Sequence, residues 1–168
     1  QSMALRWDKP VLSVGESRIL DVQMVNHRLL VSSSMQSGQS FRLALQYINA
    51  AGDYEGSPAA VDEWTSGKFD DESRPDILLS TDQTLVGLAY RLSDRSKSKQ
   101  QYRIVMCDTN LAVLYRKEIS VDAGNYEFVP VDMAVSNAGN IFLLGSLTNS
   151  GDKKSKTPAE SHYRLYAW

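Results

Sequence analysis

Six residues recur at regular spacing and carry the charges that a site would need. Asp21, Asp76 and Asp132 lie 55 and 56 positions apart, and Arg42, Arg103 and Arg164 lie 61 apart both times. Carboxylates gathered in one cleft can serve glycoside hydrolysis as acid and base. Guanidinium groups gathered round an axis can hold an anionic ligand. Each set also has a structural reading. An aspartate near the start of an inner strand accepts hydrogen bonds from loop amides, and its loss then costs about 1–3 kcal/mol if a buried donor is stranded. Each arginine can pair with a carboxylate on the neighbouring strand or sheet. Repetition favours the structural reading, and the same six residues remain the candidate ligand contacts.

Other chemistry is thinly represented. Metal sites need several His, Cys or carboxylate ligands together. The two histidines, His27 and His162, stand apart next to strands, and no His-x-x-x-His or Cys-x-x-Cys occurs. The Asn- and Asp-rich turns lack the ligand spacing of a calcium loop. Cys107 is the single cysteine, set in the apolar run Ile104–Cys107, so it reads as a buried thiol with no disulfide. No Gly-x-Ser-x-Gly or phosphate-cradling glycine pattern is present. Trp7, Trp64 and Trp168 read as packing between sheets, with stacking on a sugar or partner as the sharper alternative. No cofactor is implied.

The elements that would position these residues form a repeat, which must be sought before any other pattern. Asp21–Met24 is followed by Leu29–Val31, Asp76–Leu79 by Leu85–Leu88, and Asp132–Val135 by Ile141–Leu144. Each copy reads as strand, polar turn, strand. A third strand carries an aromatic residue, then Arg, then an aliphatic one: Phe41-Arg42-Leu43, Tyr102-Arg103-Ile104 and Tyr163-Arg164-Leu165. A fourth strand appears as Ala112–Lys117 and, more weakly, around Ala59–Trp64. The third copy stops at Trp168, where its turn into a fourth strand would begin. Met3–Lys9 is similar to Ala112–Glu118 and precedes the first copy, so it is expected to close the third sheet.

The expected fold is therefore all-β. Three four-stranded antiparallel blade-like units span about 18–64, 74–119 and 128–168 in a single domain of 168 residues, with 3–9 as the closing strand. Meanders of this length are how propeller blades look in sequence. Three blades are too few to surround an axis. The chain is then a piece of a longer propeller, one half of a six-bladed homodimer, or a three-sheet assembly of another kind.

Two stretches, Val105–Leu114 and Asp132–Gly145, resemble the repeats of secreted, largely uncharacterised β-propeller proteins of Bacteroidota. The shared features are an aspartate with a short asparagine-leucine turn, and an Asn/Asp-Gly-Asn turn before an aromatic-Leu-Leu-Gly strand. The resemblance implies the propeller fold and an exported location, periplasmic or at the cell surface. It covers copies two and three well and copy one loosely. At Val25–Arg28 no glycine is present, so a tidy hairpin is expected in the later copies rather than the first.

Bulk composition narrows the function. Hydrophobic residues make up 42% and charged residues 23%, the balance of a folded chain. With 18 basic and 20 acidic residues, the net charge is -2 and no basic stripe stands out, which argues against nucleic acid as a partner. Lys153, Lys154 and Lys156 read as a solvated loop. No run approaches the roughly 18 apolar residues of a membrane helix, so no membrane insertion is expected. The leading expectation is a non-catalytic binding or scaffolding module for a protein or glycan. The alternative is a glycan-active hydrolase or lyase with a carboxylate pair in a propeller cleft.

Overall fold

The computed structural model describes residues 8, 17–65, 74–92, 99–148 and 161–168. These residues form eleven strands: β1 (Ser17–Val25), β2 (Arg28–Ser37), β3 (Ser40–Ile48), β4 (Tyr54–Thr65), β5 (Asp76–Leu79), β6 (Leu85–Leu92), β7 (Lys99–Asp108), β8 (Val113–Asp122), β9 (Glu127–Val135), β10 (Ile141–Thr148) and β11 (Ser161–Ala167). They pair in sequence order into three antiparallel meanders. The first sheet is β1–β4, the second β5–β8 and the third β9–β11. The repeat is thus realised as one sheet per copy. The third sheet has three strands, and Met3–Lys9 lies outside the described residues except for Asp8, which is exposed and not in a strand. The connections at 66–73, 93–98 and 149–160 are outside them too.

The first hairpin is tighter than its sequence suggests. Val25 pairs with Arg28 across a two-residue turn in which Asn26 and His27 have φ of 46° and 65°. Positive φ at both central residues matches the right-handed twist of the strands, and Asn tolerates it without glycine. The equivalent turns of the other sheets are built on serine. The Ser80 hydroxyl accepts the Leu85 amide at 3.0 Å, and that of Ser136 accepts the Asn140 amide at 3.1 Å. The three turns sit in a row. The Asn26 amide donates to Gln83 Oε1 at 2.6 Å, and the Asp82 amide to Asn137 Oδ1 at 3.2 Å. The first strands follow the same order, with β5 lying against β1 on one side and β9 on the other.

The second sheet is covered on both faces. Val86, Leu88 and Tyr90 of β6, with Val105 and Cys107 of β7, join a core with Leu20, Leu30, Leu43 and Leu45 of the first sheet. The alternate residues Ala89, Tyr102, Ile104 and Met106 join a second core with Phe128, Ile141, Leu143 and Leu147 of the third sheet. Successive side chains of a strand point to opposite faces. A strand buried on both sides therefore reads as a continuous apolar run, as Leu85–Tyr90 and Ile104–Cys107 do. Gly145 of β10 makes room for one anchor of the second core. A Cβ there would stand 1.9 Å from Phe128 Cε2, and the Phe128 ring is buried edge-on to Tyr166 with centroids 5.8 Å apart.

Polar joints sit within these interfaces. Asp62 of β4 is buried, and Tyr90 of the second sheet donates its hydroxyl to Asp62 Oδ2. Arg103 and Arg116 approach the same carboxylate at 3.5 and 3.4 Å, and Arg116 also donates to the Val61 carbonyl at 2.7 Å. Burial and the neighbouring Asp62 carboxylate hold the Tyr90 hydroxyl far above the usual phenol range. Between the second and third sheets, buried Gln100 donates to the Phe128 carbonyl at 2.8 Å and accepts from the Tyr102 hydroxyl at 2.6 Å.

Two stability predictions follow from this packing. Gly145→Ala should destabilise the fold by about 1–3 kcal/mol or more, because a rigid buried ring cannot retreat. Gly87→Ala should cost less, since the atom it meets is the mobile end of Met106 at 3.1 Å. Urea unfolding of both variants checks this, and equal midpoints would contradict it. Asp62→Ala should cost about 2–4 kcal/mol, less than a fully buried pair because both arginines keep some water. Glu63→Ala, which breaks an exposed pair with Arg42, should cost at most about 1 kcal/mol. Denaturation that ranked Glu63 above Asp62 would refute the joint.

Candidate functional site

The most developed recess among the described residues is a cleft of about 430 Å³ between the second and third sheets. Its lining includes Arg74, Asp76, Tyr90, Arg91, Tyr102 and Asp132, with Ile77, Leu78, Met133 and Leu143 as its apolar floor. Asp76 opens β5. Asp132 lies on β9 just beyond a register shift at which Leu144 faces Asp132 while the next residue, Gly145, faces Pro130. The extra residue of a bulge re-aims neighbouring side chains, which is why bulges gather at sites. A matching shift in the first sheet precedes Asp21, between Ile19 and Asp21.

The three repeated aspartates are used differently. Asp21 and Asp132 each accept the amide of the following residue, Val22 at 2.8 Å and Met133 at 2.9 Å. These are local bonds within a strand at exposed sites, not the buried loop contacts expected of them. Water can replace either acceptor, so the 1–3 kcal/mol expected for losing a buried acceptor does not apply at Asp132. Asp21 lies beside Gln23, whose amide bridges Asp21 Oδ2 at 3.4 Å and the Ile77 carbonyl at 3.3 Å. Asp76 and Asp132 share the cleft, and Asp21 stands outside its lining.

Asp76 carries a distinct electrostatic signal. The residue is exposed, yet the protein atoms crowding the cleft mouth partly dehydrate its carboxyl. That desolvation, reinforced by the charge of Asp21, pushes its pKa up, and Arg74 opposes the shift. A raised carboxyl pKa means that the ionised form is disfavoured in the folded state. Tyr102, deeper in the cleft, is pushed up to about 12 by burial, with Arg91 pulling the other way.

The three arginines do not meet round an axis. Arg42 faces Glu63 across the β3–β4 pair at 3.2 Å. Arg103 faces Glu118 across β7–β8, donates to it, and also reaches Asp62. Arg164 on β11 is exposed and has no ion-pair partner among the described residues. His27 is exposed in the first turn, and His162 lies edge-on to Tyr126 at 5.2 Å. Cys107 is buried, its thiol raised to about 11 by burial first and by Asp108 second. Trp168 stacks on Tyr166 at 5.9 Å, while the side chains of Trp7 and Trp64 lie outside the described residues. Among the described residues no group of three or more His, Cys, Asp or Glu is placed to hold a metal ion.

Sequence reading missed Arg74, Arg91, Tyr90 and Tyr102 as cleft residues. Tyr90-Arg91 and Tyr102-Arg103 are adjacent aromatic-Arg pairs on neighbouring strands, a signal that was legible in the sequence. Compared with models of known families, with curated proteins and with solved structures, the chain matches none.

Because the folded-state pKa of Asp76 is raised, the ionised carboxylate works against the fold. Its favourable balance is present below the unfolded pKa and is lost as pH rises through the folded one. Asp76→Asn should therefore raise the melting temperature at neutral pH, and the gain should vanish in acid, below the unfolded aspartate range. Melting curves across pH check this. A variant less stable than the parent at neutral pH would show that the carboxylate is stabilising.

Proposed function

We propose that this chain is a non-catalytic binding or scaffolding module built on the β-propeller plan, and that it takes a polar ligand, glycan or protein, in the cleft between its second and third sheets. The observation that carries the reading is the content of that cleft: two carboxylates, two guanidinium groups and the Tyr102 ring around an apolar floor. Sugar hydroxyls and peptide groups both donate and accept, so a mixed lining suits them better than a single charge does. Volume supports it too, since ligand clefts commonly run from about 300 to 1,000 Å³. A carboxylate that opposes folding is also the kind of residue retained for a site rather than for stability. The propeller plan is supported by three equivalent meanders stacked in order with their first strands adjacent. Exported placement, periplasmic or at the cell surface, rests on the resemblance of Val105–Leu114 and Asp132–Gly145 to the secreted Bacteroidota repeats.

A glycan-active hydrolase is the second reading, favoured by one observation. Asp76 and Asp132 line the same cleft, and the raised pKa of Asp76 suits a general acid. One set of experiments separates the two. The chain and its Asp76→Asn and Asp132→Asn variants are applied to an array of immobilised glycans, and retained glycans are assayed for new reducing ends. Binding weakened about tenfold or more in either variant, with no new reducing ends, is the expected result. Turnover that Asp76→Asn abolishes while binding persists would make the chain an enzyme. No glycan retained, or retention indifferent to both substitutions, would remove the cleft from the glycan reading.

A further inference from the structure

We infer that the chain pairs with a second copy of itself, the outer face of the third sheet in each copy packing on the outer face of the first sheet in the other. Exposed large apolar residues are unevenly distributed. Among the described residues the first sheet has four, including Val22 and Met24, the third sheet has four, including Val129, Tyr163 and Leu165, and the second sheet has only Leu114. The second sheet is the one packed on both sides. Apolar side chains left bare at both ends of a stack, and nearly absent from its middle, mark two unfinished interfaces.

Register places these residues on the faces turned away from the second sheet. Val129 and Tyr163 flank Ser146 in one cross-strand row, and Leu165 lies opposite Leu144 in the next row of that face. The alternate residues of β10, Leu143 and Leu147, are those buried against the second sheet. Tyr163 is 72% exposed and Leu165 63%, values unusual for side chains of their size in a strand. The first sheet offers the complement in Val22 and Met24, the latter beside half-buried Leu29.

A second copy fits because both internal interfaces already join a sheet to the next copy of the same unit. Third sheet against first sheet repeats that relation once more. Made twice about a twofold axis it closes a ring of six sheets, leaving neither end bare.

Sedimentation equilibrium of the full chain tests this. The parent should have twice the 18.7 kDa chain mass. Val22→Asp and Leu165→Asp, at opposite ends of the stack, should each weaken self-association about tenfold or more without altering the β-sheet circular dichroism. Mixing the two variants should restore part of the dimer, since one of its two interfaces is then intact, a result that a face pairing with itself cannot give. If either aspartate disturbs folding, Val22→Thr and Leu165→Thr take its place. A parent that stays a single chain at every concentration would overturn the inference, leaving those faces to further sheets of a longer chain or to another protein. A dimer indifferent to Val22→Asp, or open-ended polymers, would overturn it equally.

Discussion

A β-sheet has two faces, and in a row of three sheets only the middle one can bury both. Nearly everything in this molecule depends on that constraint. It makes β6 and β7 continuous apolar runs, with Val86, Leu88 and Tyr90 turned one way and Ala89, Ile104 and Met106 the other. It concentrates the buried polar groups at the two interfaces, Asp62 with Tyr90 on one side and Gln100 with Tyr102 on the other. The same constraint leaves the first and third sheets with apolar side chains on their far sides. The cleft lies between the second and third sheets, with Leu78, Ala89 and Leu143 of the core between them in its lining.

The two joints differ in character. Asp62 is a carboxylate taken out of water and compensated by a phenol and two arginines. Such a cluster adds little net energy over an apolar contact of the same size, but it tolerates few alternative alignments of the sheets. Gln100 and Tyr102 form a neutral link, which is cheaper to bury. Aligning the second and third sheets in this way brings Asp76 and Asp132 to one cleft, although they lie 56 residues apart.

Much of this was legible in the sequence, and the exceptions have physical causes. The order of three meanders follows from the spacing of the aspartates and of the aromatic-Arg-aliphatic tripeptides. The cross-strand partners of Arg42 and Arg103 follow from the same repeat. Asp62 was not legible. It lies next to Glu63 in a strand weakened by Gly56 and Pro58, and only register decides which of two adjacent carboxylates turns inward. That register is shifted twice along β3 and β4, between Leu43 and Ala44 and between Leu45 and Tyr47. No local pattern announces such shifts. The first hairpin is hidden in the sequence because glycine is the usual mark of a tight turn, whereas Asn26 and His27 adopt positive φ without it. The cleft was only half legible: its carboxylates and the aromatic position of Tyr102 recur in every copy, but Arg74 and Arg91 come from a single one.

Double burial of the second sheet is the central claim, and native-state hydrogen exchange tests it most directly. β2 and β3 are hydrogen-bonded on both edges, as β6 and β7 are, so the two pairs differ mainly in how their faces are covered. In dilute solution the amides of Val86–Tyr90 and Ile104–Cys107 should exchange last, through global unfolding alone, while those of Leu29–Ser33 and Leu43–Gln46 exchange through smaller openings. If the amides of β2 and β3 outlast those of β6 and β7 under these conditions, the second sheet is not the doubly covered centre of the fold.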